Sequence, residues 1–171
     1  MLNLKRILME TDWDKIKEAL QKVEGFELIE VPGLEDKISR LNLDLNSAGF
    51  DRWGLHPETI KKCAPILYWL YKKYFRVETA GMENVPEGRV IFIGNHGGQI
   101  PIDAMLAGLS LFLEGEPPRI ARGMVERWVP TVPFVSGLFT RIGAMIGDPM
   151  NCRELLMHDQ SVLVFPEGVR G

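Results

Sequence analysis

The residues best suited to move a proton stand at the end of an apolar run. Val90–Gly94 leads into Asn95-His96-Gly97-Gly98, and Asp103 follows after Pro101. An imidazole titrates near neutral pH, and a carboxylate that folds back to it fixes its tautomer and favours its protonated form. Gly97 and Gly98 permit close backbone approach and Pro101 stiffens the return, so the loop is shaped to bring Asp103 towards His96. In isolation the same pair would read as a loop histidine and an aspartate favouring a helix N-terminus. A second apolar run, Val162–Phe165, opens into Pro166-Glu167-Gly168-Val169-Arg170. Alone, Pro-Glu-Gly is an ordinary turn. In a site, Glu167 would organise the centre and Arg170 would supply an anion contact suited to phosphate.

Strands must deliver both motifs. From Arg76 onward the pattern predicts strands at Arg76–Ala80, Val90–Gly94, Arg119–Ala121, Ala144–Ile146 and Val162–Phe165. Helices fit between them at Ile102–Leu113, about Pro133–Ile142 and Asn151–Met157. Such alternation predicts an α/β fold, a largely parallel sheet flanked by helices. Ligands in these sheets gather beyond the strand ends, where His96 and Glu167 lie. The N-terminal region reads as helical. Thr11 caps a helix to about Glu24, Phe26–Val31 is a short strand-like run, and a second helix covers Leu34–Leu45. A third starts at Pro57 and reaches about Phe75, with Pro65 expected to kink it.

Composition narrows the classes. The 171 residues suit one ordinary domain, with 46% hydrophobic and 25% charged residues typical of a folded protein. A net charge of -3 and the lack of a basic stripe speak against nucleic-acid binding. Cys63 and Cys152 are too few for a disulfide framework, which makes a reducing, cytoplasmic setting the default. No apolar stretch is long enough to span a bilayer. The chain has no Gly-x-Ser-x-Gly elbow, His-Glu-x-x-His, Cys-x-x-Cys or P-loop, so serine hydrolase, zinc, redox and nucleotide chemistries find no support, and neither metal nor cofactor is expected. His56 and His158 read as surface or cap residues.

Together the two motifs resemble the glycerolipid acyltransferase family, which acylates glycerol phosphate and lysophosphatidic acid. Asn95-His96…Asp103 is similar to its Asn-His…Asp motif, and Phe165–Arg170 to its Phe-Pro-Glu-Gly-Thr-Arg motif, at a similar separation of about seventy residues. Trp69–Phe75 and Gly81–Pro86 fit the usual lead-in. The resemblance covers residues 51–171 and implies an acyltransferase-like α/β domain there, incomplete at its C-terminal end, after an N-terminal helical extension at 1–50. It implies direct acyl transfer. His96, oriented by Asp103, deprotonates an acceptor hydroxyl that attacks the thioester of acyl-CoA or acyl carrier protein. Asn95, Gly97, Gly98, Glu167, Gly168 and Arg170 would form the substrate site, with backbone N–H groups stabilising the oxyanion.

The chain departs from that pattern in three places. Six residues separate His96 from Asp103 where four are usual, so the loop must bulge. Gly143–Asp148 matches a phosphate-binding segment, but Pro149 replaces its arginine; Arg141 or Arg153 would have to substitute. Losing a bidentate ligand favours a neutral acceptor hydroxyl, such as that of a diacylglycerol or sterol. The chain stops soon after the glutamate motif, which predicts that strand Val162–Phe165 lies near an uncovered edge. Rival readings are a thioesterase, a lipid-binding module and a non-catalytic fragment. The aromatic segment Ile66–Phe75, bordered by Lys61, Lys62, Lys72, Lys73 and Arg76, suits either a core-facing helix or a peripheral membrane contact. Lipid substrates favour the membrane. Trp128–Phe139 is a second apolar stretch, fit for core, membrane contact or acyl-chain lining.

Overall fold

The structure is a computed structural model and describes residues 18, 19, 21, 22, 26, 27, 29–95, 97, 101–131 and 135–167. The helix expected over Thr11–Glu24 lies almost wholly outside them.

Four parallel strands form the centre: β1 (Ile91–Ile93), β2 (Arg122–Val125), β3 (Met145–Ile146) and β4 (Val162–Val164), in the order β1-β4-β2-β3. Ile93 pairs with Val164, Arg122 with Val162 and Val125 with Ile146. The last strand in sequence is therefore interior, flanked on both sides, and the uncovered edge expected for it belongs instead to β1 and β3. The helices are α1 (Leu34–Ser39), α2 (Pro57–Trp69), α3 (Ile102–Leu113), α4 (Val135–Arg141) and α5 (Pro149–Met157). Since α3, α4 and α5 each join parallel strands, they carry the chain back from the end where strands finish (the rim) to the end where they begin (the base).

Helix α3 packs two ways. Leu111 joins Ala121 and Leu163 against the sheet, with Phe92 and Phe165 alongside. Its neighbour Phe112 joins Leu55 and Ile60 instead, and Leu34, Ile38, Leu41 and Leu43 pack on that second cluster. Adjacent residues on a helix diverge by about 100°, so one helix serves both cores. Ile60, Cys63 and Ala64 of α2 are buried at spacings of three and four residues, the stripe of an amphipathic helix. The helix continues across Pro65, which has no N–H to donate, and gives way to a π turn at Leu70–Tyr74.

Several expected elements differ. No strand forms over Arg76–Ala80: Arg76 adopts a positive φ of 51°, the Val77 N–H donates to the Tyr71 carbonyl (2.9 Å), and the Thr79 hydroxyl donates to Glu114. The left-handed backbone at Arg76 and these two bonds tie the segment to helix ends rather than to the sheet. The strand expected at Arg119–Ala121 begins at Arg122, because the Arg119 side chain is held by the carbonyls of Pro86 (3.0 Å) and Gly88 (3.3 Å) before pairing starts. The described part of Phe26–Val31 is not a strand; Val31 is buried and Phe26 packs against Trp69 at 4.9 Å between centroids. Helix α1 ends at Ser39 rather than Leu45, since Leu41 and Leu43 turn into the core.

Candidate active site

Both motifs leave the rim of the sheet from adjacent strands. The Gly94 N–H continues the β1–β4 ladder, donating to the Val164 carbonyl at 3.1 Å. Asn95 and Glu167 follow, both exposed. His96, Gly98, Gly168 and Arg170 lie outside the described residues. Parallel pairing thus places residues seventy positions apart at one rim, the end of the sheet where α/β folds collect their ligands.

Asp103 lies in the first turn of α3, where a carboxylate is favoured by the helix dipole. One of its oxygens accepts the Ala104 N–H (2.8 Å) and the other reaches back to the Gly97 N–H (2.6 Å). The carboxylate therefore closes the longer loop onto the residue that follows His96. Charge-assisted bonds of this length are the stronger kind.

On the far side of the rim, Asp148 caps α5, accepting from the Met150 and Asn151 N–H groups, with Pro149 in the first helical position. Proline stands in the expected arginine's place as part of a helix start. Arg127, missed in the sequence, stands two residues past β2 and places its guanidinium 3.3 Å from Asp148 while staying 79% exposed. Only chain pairing of β2 with β3 could have revealed it. Arg153 is an exposed residue of α5. The structure does not bring Arg141 to these loops: it ends α4 at the base, its carbonyl accepting the His56 N–H and its guanidinium 5.9 Å from the Phe50 ring centroid.

The base holds different polar groups. Arg122 and Asp51, 1% and 3% exposed in their side chains, form a buried ion pair. Burial pushes the Arg122 guanidinium below its ordinary pKa, against the pull of Asp51. Gln160 accepts twice from it (3.0 and 3.2 Å), Trp53 lies 5.2 Å away, and Arg122 Nη1 is left without a partner. Beside the last turn of α3, Glu114 accepts from Tyr71 (3.0 Å), Lys72 (2.8 Å) and Thr79. A groove of ≈ 520 Å³ there, lined by Lys37, Arg40, Tyr68, Lys72, Glu114 and Glu116, sits at the opposite end of α3 from Asp103. His56 and His158 are both cap residues, and each has a partner: Thr59 Oγ1 at 3.0 Å and Arg52 at 3.0 Å. Among the described residues no group of His, Cys, Asp and Glu could hold a metal ion, and no helix is long and apolar enough to cross a membrane.

Parallel strands joined by helices place the chain in the α/β class. The acyltransferase family model matches residues 76–171, more than half of the sequence, and the chain belongs to that family. An uncharacterized protein of Mycobacterium leprae is 32% identical over 108 residues, 63% of this chain and 29% of its own length. Another, from Mycobacterium tuberculosis, is 29% identical over 123 residues, 71% of this chain and 34% of its own. A mouse protein named DGAT1/2-independent enzyme synthesizing storage lipids is 32% identical over 93 residues, 54% of this chain and 27% of its own. The chain thus spans about a third of the length of the curated relatives it matches. No solved structure matches it.

Proposed function

We propose that this domain transfers a fatty acyl group from a thioester, acyl-CoA or acyl carrier protein, to a neutral lipid hydroxyl. The observation that carries the reading is the exit of both motifs from hydrogen-bonded neighbours at one rim, with Asp103 returned to Gly97. His96 takes the hydroxyl proton, Asp103 orients it and stabilises the imidazolium, and the oxygen attacks the thioester carbonyl. Thiolate leaves and carries away the proton. Asn95, Gly97, Gly98, Glu167, Gly168 and Arg170 form the substrate site. Pro149 at a helix start supports a neutral acceptor, as does the storage-lipid activity in the mouse relative's name.

The enzyme works peripherally at a membrane surface. Its support is a knuckle at the π turn, where Tyr74 and Phe75 are 63% and 38% exposed beside exposed Lys73 and Arg76, a pairing suited to anionic headgroups. Acyl-CoA supplied with and without diacylglycerol tests the reaction. Acyl transfer that needs the acceptor and falls about 10²- to 10⁴-fold in His96→Ala is expected for a general base. Fatty acid released regardless of acceptor makes the domain a thioesterase instead. Flotation with anionic vesicles tests the surface claim, and wild-type protein that stays at the bottom of the gradient ends it.

A further inference from the structure

Gly94 precedes the Asn95-His96 motif, and its φ lies outside the left-handed region that favours glycine. A side chain is excluded there for another reason. A Cβ built on Gly94 would stand 2.8 Å from Phe165 Cε1, 3.3 Å from Cζ and 3.4 Å from Cδ1. The ring edge of the second motif's first residue therefore lies where the first motif's side chain would be. Phe165 also packs with the buried cluster of Leu111, Ala121 and Leu163, so its ring is held from the core side. The Gly94 N–H is fixed to Val164, leaving the strand end little room to retreat.

We propose that Phe165 is a positioning residue: seated on the bare backbone of Gly94, it links the core to the strand end bearing Asn95 and His96 and sets where the base stands. This rests on the acyl-transfer reading. In close-packed surroundings a methyl group at Gly94 cannot be absorbed without moving either the ring or the strand. The sense of the contact is steric, so shortening the ring should undo the damage of adding the methyl.

The test uses Gly94→Ala, Phe165→Leu and the double variant of the whole chain, assayed for acyl transfer with kcat and KM separated. Gly94→Ala is expected to lower kcat about 10- to 100-fold, as ångström-scale misplacement of a reacting group does, with KM for acyl-CoA nearly unchanged. The double variant should recover most of that loss. A structural contact alone would lower the melting temperature and leave kcat of the folded protein intact. Wild-type kcat in Gly94→Ala, or a double variant that loses the product of both single effects, overturns the proposal. Independently of turnover, ring currents should separate the two Gly94 Hα shifts in wild type and the separation should collapse in Phe165→Leu. Unchanged Hα shifts refute the contact itself. A wild-type protein without transfer activity overturns the acyltransferase reading, while the Hα shifts still decide the contact.

Discussion

The two ends of the sheet are built on opposite plans. At the base, polar groups are multiply bonded: Arg122 is buried against Asp51 and Gln160, and half-buried Glu114 lies under three donors. At the rim, Asn95, Gly97 and Glu167 are exposed, and one carboxylate spans the loop. The base joins distant segments (Asp51 to Arg122, Tyr71 to Glu114), so its bonds hold the tertiary structure. Beyond the sheet ladder, the carboxylate bond at the rim is local and orders a loop, and the longer-range contact of Arg127 with Asp148 is exposed. On the proposed acyl-transfer reading, stability and chemistry are separated along the strand axis, and variants at the two ends should fail in different ways.

Asp51→Ala is the largest break. It removes the partner of a buried guanidinium that already has one unpartnered nitrogen, and it orphans the N–H groups of Trp53 and Leu55. Breaking a buried pair from one side costs about 3–5 kcal/mol. Urea denaturation should show that loss, with turnover of the remaining folded protein unchanged. Turnover falling in step with stability would erase the distinction between the ends.

The rim was the more legible end, and the reason is chemical. Chain-adjacent residues carry its signal: a helix over Ile102–Leu113 appears where expected, Asp103 returns towards the motif, and both motifs announce themselves as apolar runs meeting polar turns. The base depends on single residues about forty to seventy apart that no local motif marks. Arg122 and Gly123 lie past the strand expected at Arg119–Ala121, yet they open β2, paired with Val162 and Leu163. Likewise Val162–Phe165 looks like a final edge, but strand order is set by crossovers that local patterning does not encode. Arg127 was hidden for the same reason.

Asp103→Asn sharpens the comparison from the other side. It keeps the size and one acceptor but removes the charge facing the Gly97 N–H. In the proposed reaction Asp103 orients His96, so loosening the loop misplaces the base and kcat should fall roughly 10- to 100-fold. The bond weakened is exposed and confined to a loop, so the denaturation midpoint should move little. Asp148→Ala is smaller and affects stability: it deletes the cap of α5, worth about 1 kcal/mol. Its exposed contact with Arg127 adds little. A loss as large as that of Asp51→Ala would mean the rim braces the fold after all.

Acid should loosen the base through its titrating groups, and this is the smallest effect. Burial lifts the Glu114 carboxyl, but the bonds from Lys72, Thr79 and Tyr71 outweigh it and hold the group below its ordinary pKa. Burial, helped by Arg141, likewise holds His56 below its ordinary value. In both cases the unfolded chain binds the proton more readily, so stability is complete at high pH and declines on acidification. The His56 contribution fades as pH falls below about 6.5, and that of Glu114 as it falls below about 4.3. Both groups are partly exposed, so solvent screening keeps each step small. Denaturation midpoints measured from pH 8 to about pH 2 should therefore decline in two stages, the upper one absent in His56→Gln and the lower one reduced in Glu114→Gln. If Glu114→Gln leaves the lower stage intact, acid sensitivity resides elsewhere, and the base is no more pH-dependent than the rim.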